Sequence, residues 1–451
     1  MKISIIGTGY VGLTTGTCFA EVGHEVTCVD NDEEKIDTLL DGKIPIFEPG
    51  LAELVAKNVS ADRLNFTTSS AEGVREGEAI FIAVPTPPQP DGSVDLQFIE
   101  KVAREIAEAL TPELGYRVIV DKSTVPVKTA RKVDETVRRY AVPGVEFGVV
   151  SNPEFLREGC AVKDLLEPDR IVFGANDDRA LNVMQKIYEP FMAPVLVTDV
   201  ESAELIKHAA NSFLALKISY INAVARICER SGADIEKVSE GIGMDARIGR
   251  SFLHAGLGYG GSCFPKDIKA FIAISESLGY RFDLLKQVEE INSSQLAHFL
   301  NKIREKLWVL QDKKIAVWGL AFKQNTDDVR ESVAIKLVKQ MLSEGAEITA
   351  WDPQAMETAR RFGSLEGSIT YAEDMYSCLD GAEALVIATE WSEFAHADLA
   401  EIRERLRTPL VFDGRNLLDP TTAMNQGLEY YSVGRAAMLP KPTPVSNPVS
   451  P

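Results

Sequence analysis

The sequence predicts two doubly wound α/β domains joined by a long central helix. Strand-like and helix-like segments alternate from the first residues to about residue 197, and the same alternation restarts near residue 301. Between them runs a stretch with neither proline nor glycine, from Thr198 to Ser231. Strands separated by helices need crossover connections, which give a parallel sheet covered on both faces. The expected limits are 1–197 for an N-terminal domain, 198–300 for a central helical region that builds a dimer, 301–435 for a C-terminal domain and 436–451 for a tail.

The elements follow in order. The run Ile3, Ile5, Ile6 opens the chain as a buried strand, and "GTGYVG" turns it into a helix from about Val11 to Glu21 that stops near Gly23. "EVTCVD" is the second strand and "EEKIDTLLDG" the next helix; "AIFIAV", "RVIVDKST", "FGVVSNPEF" and "RIVFGA" read as further strands. Thr198 and Glu201 are spaced as a capping box for the long helix. That helix would span roughly 45 Å at about 1.5 Å per residue. It is apolar on most faces, so it is expected to pack against several partners, a second subunit among them. The C-terminal domain is built from "KKIAVWGLAF", "AEITAWDP", "EALVIAT" and "PLVFDGRN". The tail "LPKPTPVSNPVSP" is rich in proline and small polar residues and is expected to be disordered.

Composition narrows the partners. The 451-residue chain carries a formal net charge of -19, which opposes binding to a phosphate backbone or an anionic membrane surface. No run of about 18 apolar residues marks a membrane span, and "MKISIIG" begins a strand rather than a signal peptide. The six cysteines are scattered without metal-ligand spacing and there are only five histidines, so no metal site is expected. These readings describe a reduced cytoplasmic protein.

Gly7, Gly9 and Gly12 match G-x-G-x-x-G, a weak pattern alone. Here it follows a strand, opens a helix, and is followed 18 residues after Gly12 by Asp30 at the end of the next strand. Glycines let the backbone approach a pyrophosphate, the helix N-terminus faces its charge, and the acid takes a ribose diol. The domain is therefore Rossmann-like and its expected cofactor is NAD, because Asp30 would repel the extra phosphate of NADP. Lys35 is close enough in sequence to reach the same ribose. The corresponding turn of the second Rossmann-like domain, "GLAFKQ", lacks the triad, so a second NAD is not expected; Lys323 there is either a phosphate ligand or a solvated lysine.

Glu154 and Glu158 in "SNPEFLREG" lie one turn apart if that segment is helical, with Ser151 or Asn152 as a cap. Lys207 and Asn211 are i and i+4 in an apolar stretch and need partners there, either as oxyanion donors or in a structural salt bridge. Cys263 differs from the other cysteines. It ends the glycine cluster of "GLGYGGSCFPKD", too glycine-rich to be packed for stability, with Lys266 placed to favour a thiolate. A thiolate beside a nicotinamide can hold an aldehyde as a thiohemiacetal and carry it to a thioester.

"GTGYVGL", "VPTP", "KSTVP", "SNPEFLREG", "ELIKHAANSFLALKIS", "GIGMDARIG", "GYGGSCFPKD" and "LAFKQNTDDVRES" stand in the order seen in the UDP-glucose/GDP-mannose dehydrogenase family, which the chain resembles over about residues 1 to 435. The resemblance implies a four-electron oxidation of UDP-glucose to UDP-glucuronate by NAD in a homodimer or higher homo-oligomer. GDP-mannose or UDP-N-acetylmannosamine is the nearest alternative substrate, ahead of a two-electron hydroxyacid dehydrogenase or a non-catalytic binding regulator. It implies Cys263 as nucleophile, Lys207 as oxyanion stabiliser with Asn211 beside it, Asp267 with a water held by Thr124 in proton removal, and Glu154 in thioester hydrolysis. NAD contacts are implied at Gly7, Gly9, Tyr10, Val11, Gly12, Asp30, Lys35, Thr86, Thr124, Glu158, Lys266 and Arg330. Sugar-nucleotide contacts are implied at Glu154, Phe155, Leu156, Arg157, Lys207 and Asn211, and at Phe252, Leu253, His254, Ala255, Gly256, Gly260 and Lys323. Arg247 resembles an arginine supplied across a dimer interface. Tyr259 departs from the pattern, where phenylalanine is common, but keeps an aromatic ring.

Overall fold

The computed structural model describes residues 1–440. The chain forms two compact units: Met1–Ser212 with Lys266–Phe282, and Phe213–Pro265 with the residues from Asp283 onward. Each carries one sheet, and the helix Val200–Ser231 runs from the first unit into the second.

The sheet of the first unit consists of β1 (Lys2–Ile6), β2 (Glu25–Val29), β3 (Leu64–Thr67), β4 (Ala79–Ile82), β5 (Arg117–Asp121), β6 (Phe147–Ser151), β7 (Ile171–Ala175) and β8 (Val195–Thr198). Their order is β3-β2-β1-β4-β5-β6-β7-β8. Alternate residues of a central strand serve opposite faces: in β4, Ala79 and Phe81 join one core with Phe19 and Phe173, whereas Ile80 and Ile82 join another with Ile6 and Ile119. One pairing corrects the expected parallel sheet. β6 and β7 are antiparallel, sharing only Val150↔Ala175 and Ser151↔Gly174. The chain between them does not cross back under the sheet, so β7 begins beyond the carboxyl end of β6 and returns.

The second unit's sheet consists of β9 (Lys314–Trp318), β10 (Glu347–Trp351), β11 (Thr370–Tyr371), β12 (Ala384–Ile387), β13 (Leu410–Asp413) and β14 (Glu429–Ser432), in the order β11-β10-β9-β12-β13-β14. Every pairing in it is parallel. Its order repeats that of β3-β2-β1-β4-β5-β6, so both sheets reverse direction once, between the first and fourth strands in chain order, and both are doubly wound.

Two local expectations change. The long helix is capped by Asp199 rather than Thr198, which ends β8; Asp199 accepts the Ser202 N–H at 2.7 Å and the Ser202 hydroxyl at 2.8 Å. The segment Asn152–Arg157 has no regular secondary structure and Glu158–Gly159 is a turn, so Glu154 and Glu158 do not stack along a helix. Of the tail expected to be disordered, Met438 forms a bridge with Tyr430; residues 441–451 lie outside the described residues. Among the described residues no helix is long and apolar enough to cross a membrane, and no histidine, cysteine or acidic cluster could hold a metal ion.

Candidate active site

The dinucleotide loop follows from where each glycine sits. Gly7 has φ +103°, and a Cβ there would lie 2.5 Å from the Ala83 carbonyl oxygen; a Cβ on Gly12 would lie 1.8 Å from the Gly7 carbonyl oxygen. Those two let the helix Tyr10–Glu21 start against the strands. Gly9 is different: nothing lies within 4 Å of where its Cβ would be, so its backbone faces open space. No acidic residue occupies the first turn of that helix to oppose an anion. Asp30, at the end of β2, is 8% exposed. Its Oδ2 accepts the Thr8 N–H (2.8 Å), the Thr8 hydroxyl (2.7 Å) and Lys35 Nζ (2.9 Å), while Oδ1 accepts the Asp32 N–H (3.1 Å). Burial would raise its carboxyl, but these donors hold it below the usual carboxylate range. An ionised acid with capacity left on Oδ1, beside an open glycine backbone, fits the ribose diol and pyrophosphate of NAD.

The corresponding acid of the second sheet is spent. Asp352 ends β10, and its Oδ2 takes the Leu320 and Ala321 N–H groups and Trp391 Nε1, while Oδ1 takes those of Gln354 and Ala355. Five donors leave it no capacity for a ribose.

One face of the long helix gathers charge in the first unit. Lys207 Nζ lies 2.7 Å from Glu154, with side chains 4% and 6% exposed. One turn on, Asn211 Nδ2 donates to Asp267 at 2.6 Å, and Lys266 Nζ meets the other oxygen of Asp267 at 2.6 Å. Burial would raise the Asp267 carboxyl, but the Lys266 and Lys207 ammonium groups outweigh it and hold the group below its ordinary value. Lys122, after β5, is also buried; its Nζ reaches Asn152 Oδ1 at 3.2 Å and the Tyr188 hydroxyl at 3.4 Å, and burial lowers it to about 8. The same helix fixes the loop carrying Thr124: His208 bonds the Val125 carbonyl at 2.8 Å, and Glu204 accepts the Lys128 and Ala130 N–H groups at 2.5 and 2.8 Å. Residues 204, 207, 208 and 211 form one helical stripe.

In the second unit the glycine loop before Cys263 is fastened rather than slack. Asn222 Oδ1 accepts the Gly256 N–H and Gln295 donates to the Gly256 carbonyl, both at 2.9 Å. Asn292 takes the Tyr259 N–H at 2.8 Å and donates to its carbonyl at 3.1 Å. Gly258 and Gly261 have φ +101° and +82°, and a Cβ on Gly260 would lie 2.3 Å from the Glu331 carbonyl oxygen. The glycines therefore serve tight backbone geometry, and side-chain amides supply the packing that the sequence lacks. Tyr259 meets the Phe264 ring edge-on at 5.8 Å. Cys263 is half-buried and stands directly before the helix Phe264–Ser277, whose first turn holds Asp267. In contrast, burial pushes the Cys18, Cys28 and Cys378 thiols up to about 12, which makes them inert.

Residues 1–192 match the NAD binding domain of the UDP-glucose/GDP-mannose dehydrogenase family, residues 201–294 its central domain and residues 316–420 its UDP binding domain. The chain belongs to this family. It is 45% identical to the UDP-glucose 6-dehydrogenase TuaD of Bacillus subtilis over 97% of this chain and 94% of that protein. The UDP-glucose 6-dehydrogenase of Rhizobium meliloti is 45% identical over 96% of this chain and all of its own length. A solved UDP-glucose dehydrogenase from Pyrobaculum islandicum superposes with a TM-score of 0.90 at 42% identity, covering 96% of this chain and 98% of that one.

The remaining residues implied by the UDP-glucose/GDP-mannose dehydrogenase resemblance come from several loops of both units. Thr86 is buried in the loop after β4 and Thr124 partly buried after β5. Phe155 faces Lys207 Nζ, 5.7 Å from its ring centre, while Leu156 donates its N–H to Glu154. Arg157 points outward to Asp164. Arg247 is 90% exposed on its side chain and pairs with Asp245. Phe252 has φ +65°, Leu253 and Ala255 are buried and His254 is exposed. Lys323 lies in the loop between β9 and the helix Val333–Ser343, and Arg330 in the same loop pairs with Asp328. Sequence reasoning missed Glu204, His208, Asn222, Asn292 and Gln295. The first two carried a signal, since they share the helical phase of Lys207 and Asn211; the amides had none.

Proposed function

We propose that the protein oxidises UDP-glucose to UDP-glucuronate, using two NAD and one water per sugar. The buried cluster of Lys207, Glu154, Asn211 and Asp267 carries this reading, supported by the family membership. Buried ion pairs add little net stability, so a buried lysine paired with Glu154, its charge also felt by Asp267, is better accounted for by chemistry.

NAD, held by the Gly7–Gly12 loop, Asp30 and Lys35, supplies the hydride acceptor for both oxidations, with Thr86, Thr124, Glu158, Lys266 and Arg330 as further contacts. Asp267, ionised beside Lys266, takes the proton of the 6-hydroxyl through a water at Thr124. Cys263 Sγ adds to the aldehyde carbon, and Lys207 and Asn211 stabilise the resulting alkoxide. The helix N-terminus behind Cys263 favours negative charge on its sulfur. Loss of the second hydride equivalent leaves a thioester; Glu154 directs water to it, and its cleavage releases the carboxylate and restores the thiol. The covalent stage keeps the aldehyde from escaping between the two oxidations. The loop Phe252–Gly260 and Lys323 hold the nucleotide sugar, with Arg247 serving a partner subunit.

The test is intact-mass analysis of the Glu154→Gln variant incubated with UDP-glucose and NAD. The expected result is a UDP-sugar acyl adduct that maps to Cys263. NADH formation without any adduct would point to a two-electron enzyme. An adduct formed only from GDP-mannose or UDP-N-acetylmannosamine would move the substrate and keep the mechanism.

A further inference from the structure

Glu48 belongs to none of the motifs above, yet its carboxylate is 6% exposed and surrounded by donors. It comes from the loop before the helix Leu51–Ser60. Its Oε2 accepts the Gly159 N–H at 2.6 Å and the Tyr10 hydroxyl, and its Oε1 accepts the Ala161 N–H at 2.7 Å. The Gly159 N–H also reaches the Tyr10 oxygen at 3.0 Å. Tyr10 is the first residue of the helix that opens at the dinucleotide loop, and Gly159 directly follows Glu158. Gly159 has φ +78°, so the turn there needs the glycine as well as the clamp.

Capping the short helix Ala161–Leu166 accounts only for the bonds of Oε1 to the Ala161 N–H and, at 3.4 Å, the Val162 N–H. The bonds to Gly159 and Tyr10 do something else: they close a bridge between the dinucleotide loop and the segment that carries Glu154. Charge-assisted bonds of this kind are short and directional, and a buried donor left unsatisfied is costly.

We propose that Glu48 is a positioning residue that locks the Glu154–Gly159 segment to the dinucleotide loop, so that cofactor affinity and the placement of Glu154 depend on one carboxylate outside both motifs. The proposal rests on NAD occupying the Gly7–Gly12 loop, which NADH titration of the wild-type chain tests separately. Glu48→Gln keeps an acceptor for Ala161 but loses the second carboxylate oxygen. Tyr10→Phe removes only the hydroxyl.

In the full-length protein, NADH fluorescence titration of Glu48→Gln should show affinity weakened about ten- to hundredfold, the scale of one or two unsatisfied buried donors. Turnover at saturating NAD should also fall, with UDP binding unchanged. Tyr10→Phe should weaken NADH in the same direction by less, and adding it to Glu48→Gln should have little further effect. NADH affinity within about twofold of wild type in Tyr10→Phe, and in Glu48→Gln where that variant folds, would overturn the proposal. UDP binding lost in parallel with NADH binding would overturn it too, because Glu48 would then serve general stability.

Discussion

Two buried carboxylates on or beside the same helix show how neighbours decide protonation. Asp267 stays ionised because Lys266 and Lys207 face it, whereas Glu204 meets backbone N–H groups but no comparable cation, and burial raises its carboxyl to about 7. From pH 4.5, its ordinary value, up to about 7, the folded chain keeps a proton on Glu204 that the unfolded chain has released. That contribution to stability is full below the window and is lost as pH rises through it. Relative to Glu204→Gln, the wild type should lose on the order of 1–3 kcal/mol between pH 5 and pH 8. Urea unfolding at both pH values measures this, and equal slopes for the two proteins would contradict it. Cys263 stood out in sequence through its glycine neighbours, whereas helical spacing only put Lys207 and Asn211 on one face, and their proposed roles came from the family resemblance. Glu204 shares their helical phase, but that phase does not show that its carboxylate takes the Lys128 and Ala130 N–H groups of a distant loop.

At the scale of elements, the glycines of one loop divide by what surrounds them. Gly9 has an ordinary φ of -69° and open space beside it, so Gly9→Ala should fold with an unchanged thermal midpoint yet bind NADH poorly, its methyl occupying the approach to the backbone. Gly12→Ala must displace the Gly7 backbone, and should lower the midpoint as well as NADH binding. Thermal unfolding and NADH titration of the pair check the contrast, and equal midpoints would contradict it. The loop, its strand and its helix could be read from sequence because they are consecutive. The strands β3, β8, β11 and β14 were missed; each is short, and β8 lies at the sheet edge with Val195, Leu196 and Val197 exposed. The strand β7 was read, but its antiparallel direction was missed because an apolar run shows no direction, only burial.

At the scale of the whole molecule, two sheets of the same strand order serve different tasks. The N-terminal one pairs an open glycine loop with an acid that has capacity to spare, and the C-terminal one has neither, which matches their assignment to NAD and UDP binding domains. The plan of the molecule was therefore visible in sequence, and so was the division of labour, because the triad is present once. The long helix supports the proposal that the chain forms a homodimer. Phe213, Tyr220 and Ile227 stand seven residues apart on it and are 61%, 55% and 64% exposed, a stripe suited to a second copy of the chain. On that proposal the wild type scatters light as a dimer, and replacing Phe213 and Tyr220 with aspartate should convert it to monomer. A monomeric wild type, or a double variant of unchanged mass, would contradict the proposal.

The covalent, two-stage oxidation is the central claim, and counting electrons tests it most directly. A limiting, known amount of UDP-glucose with excess NAD should yield two NADH per sugar at completion. One NADH per sugar would mean that oxidation stops at the aldehyde, and would contradict the thioester role of Cys263.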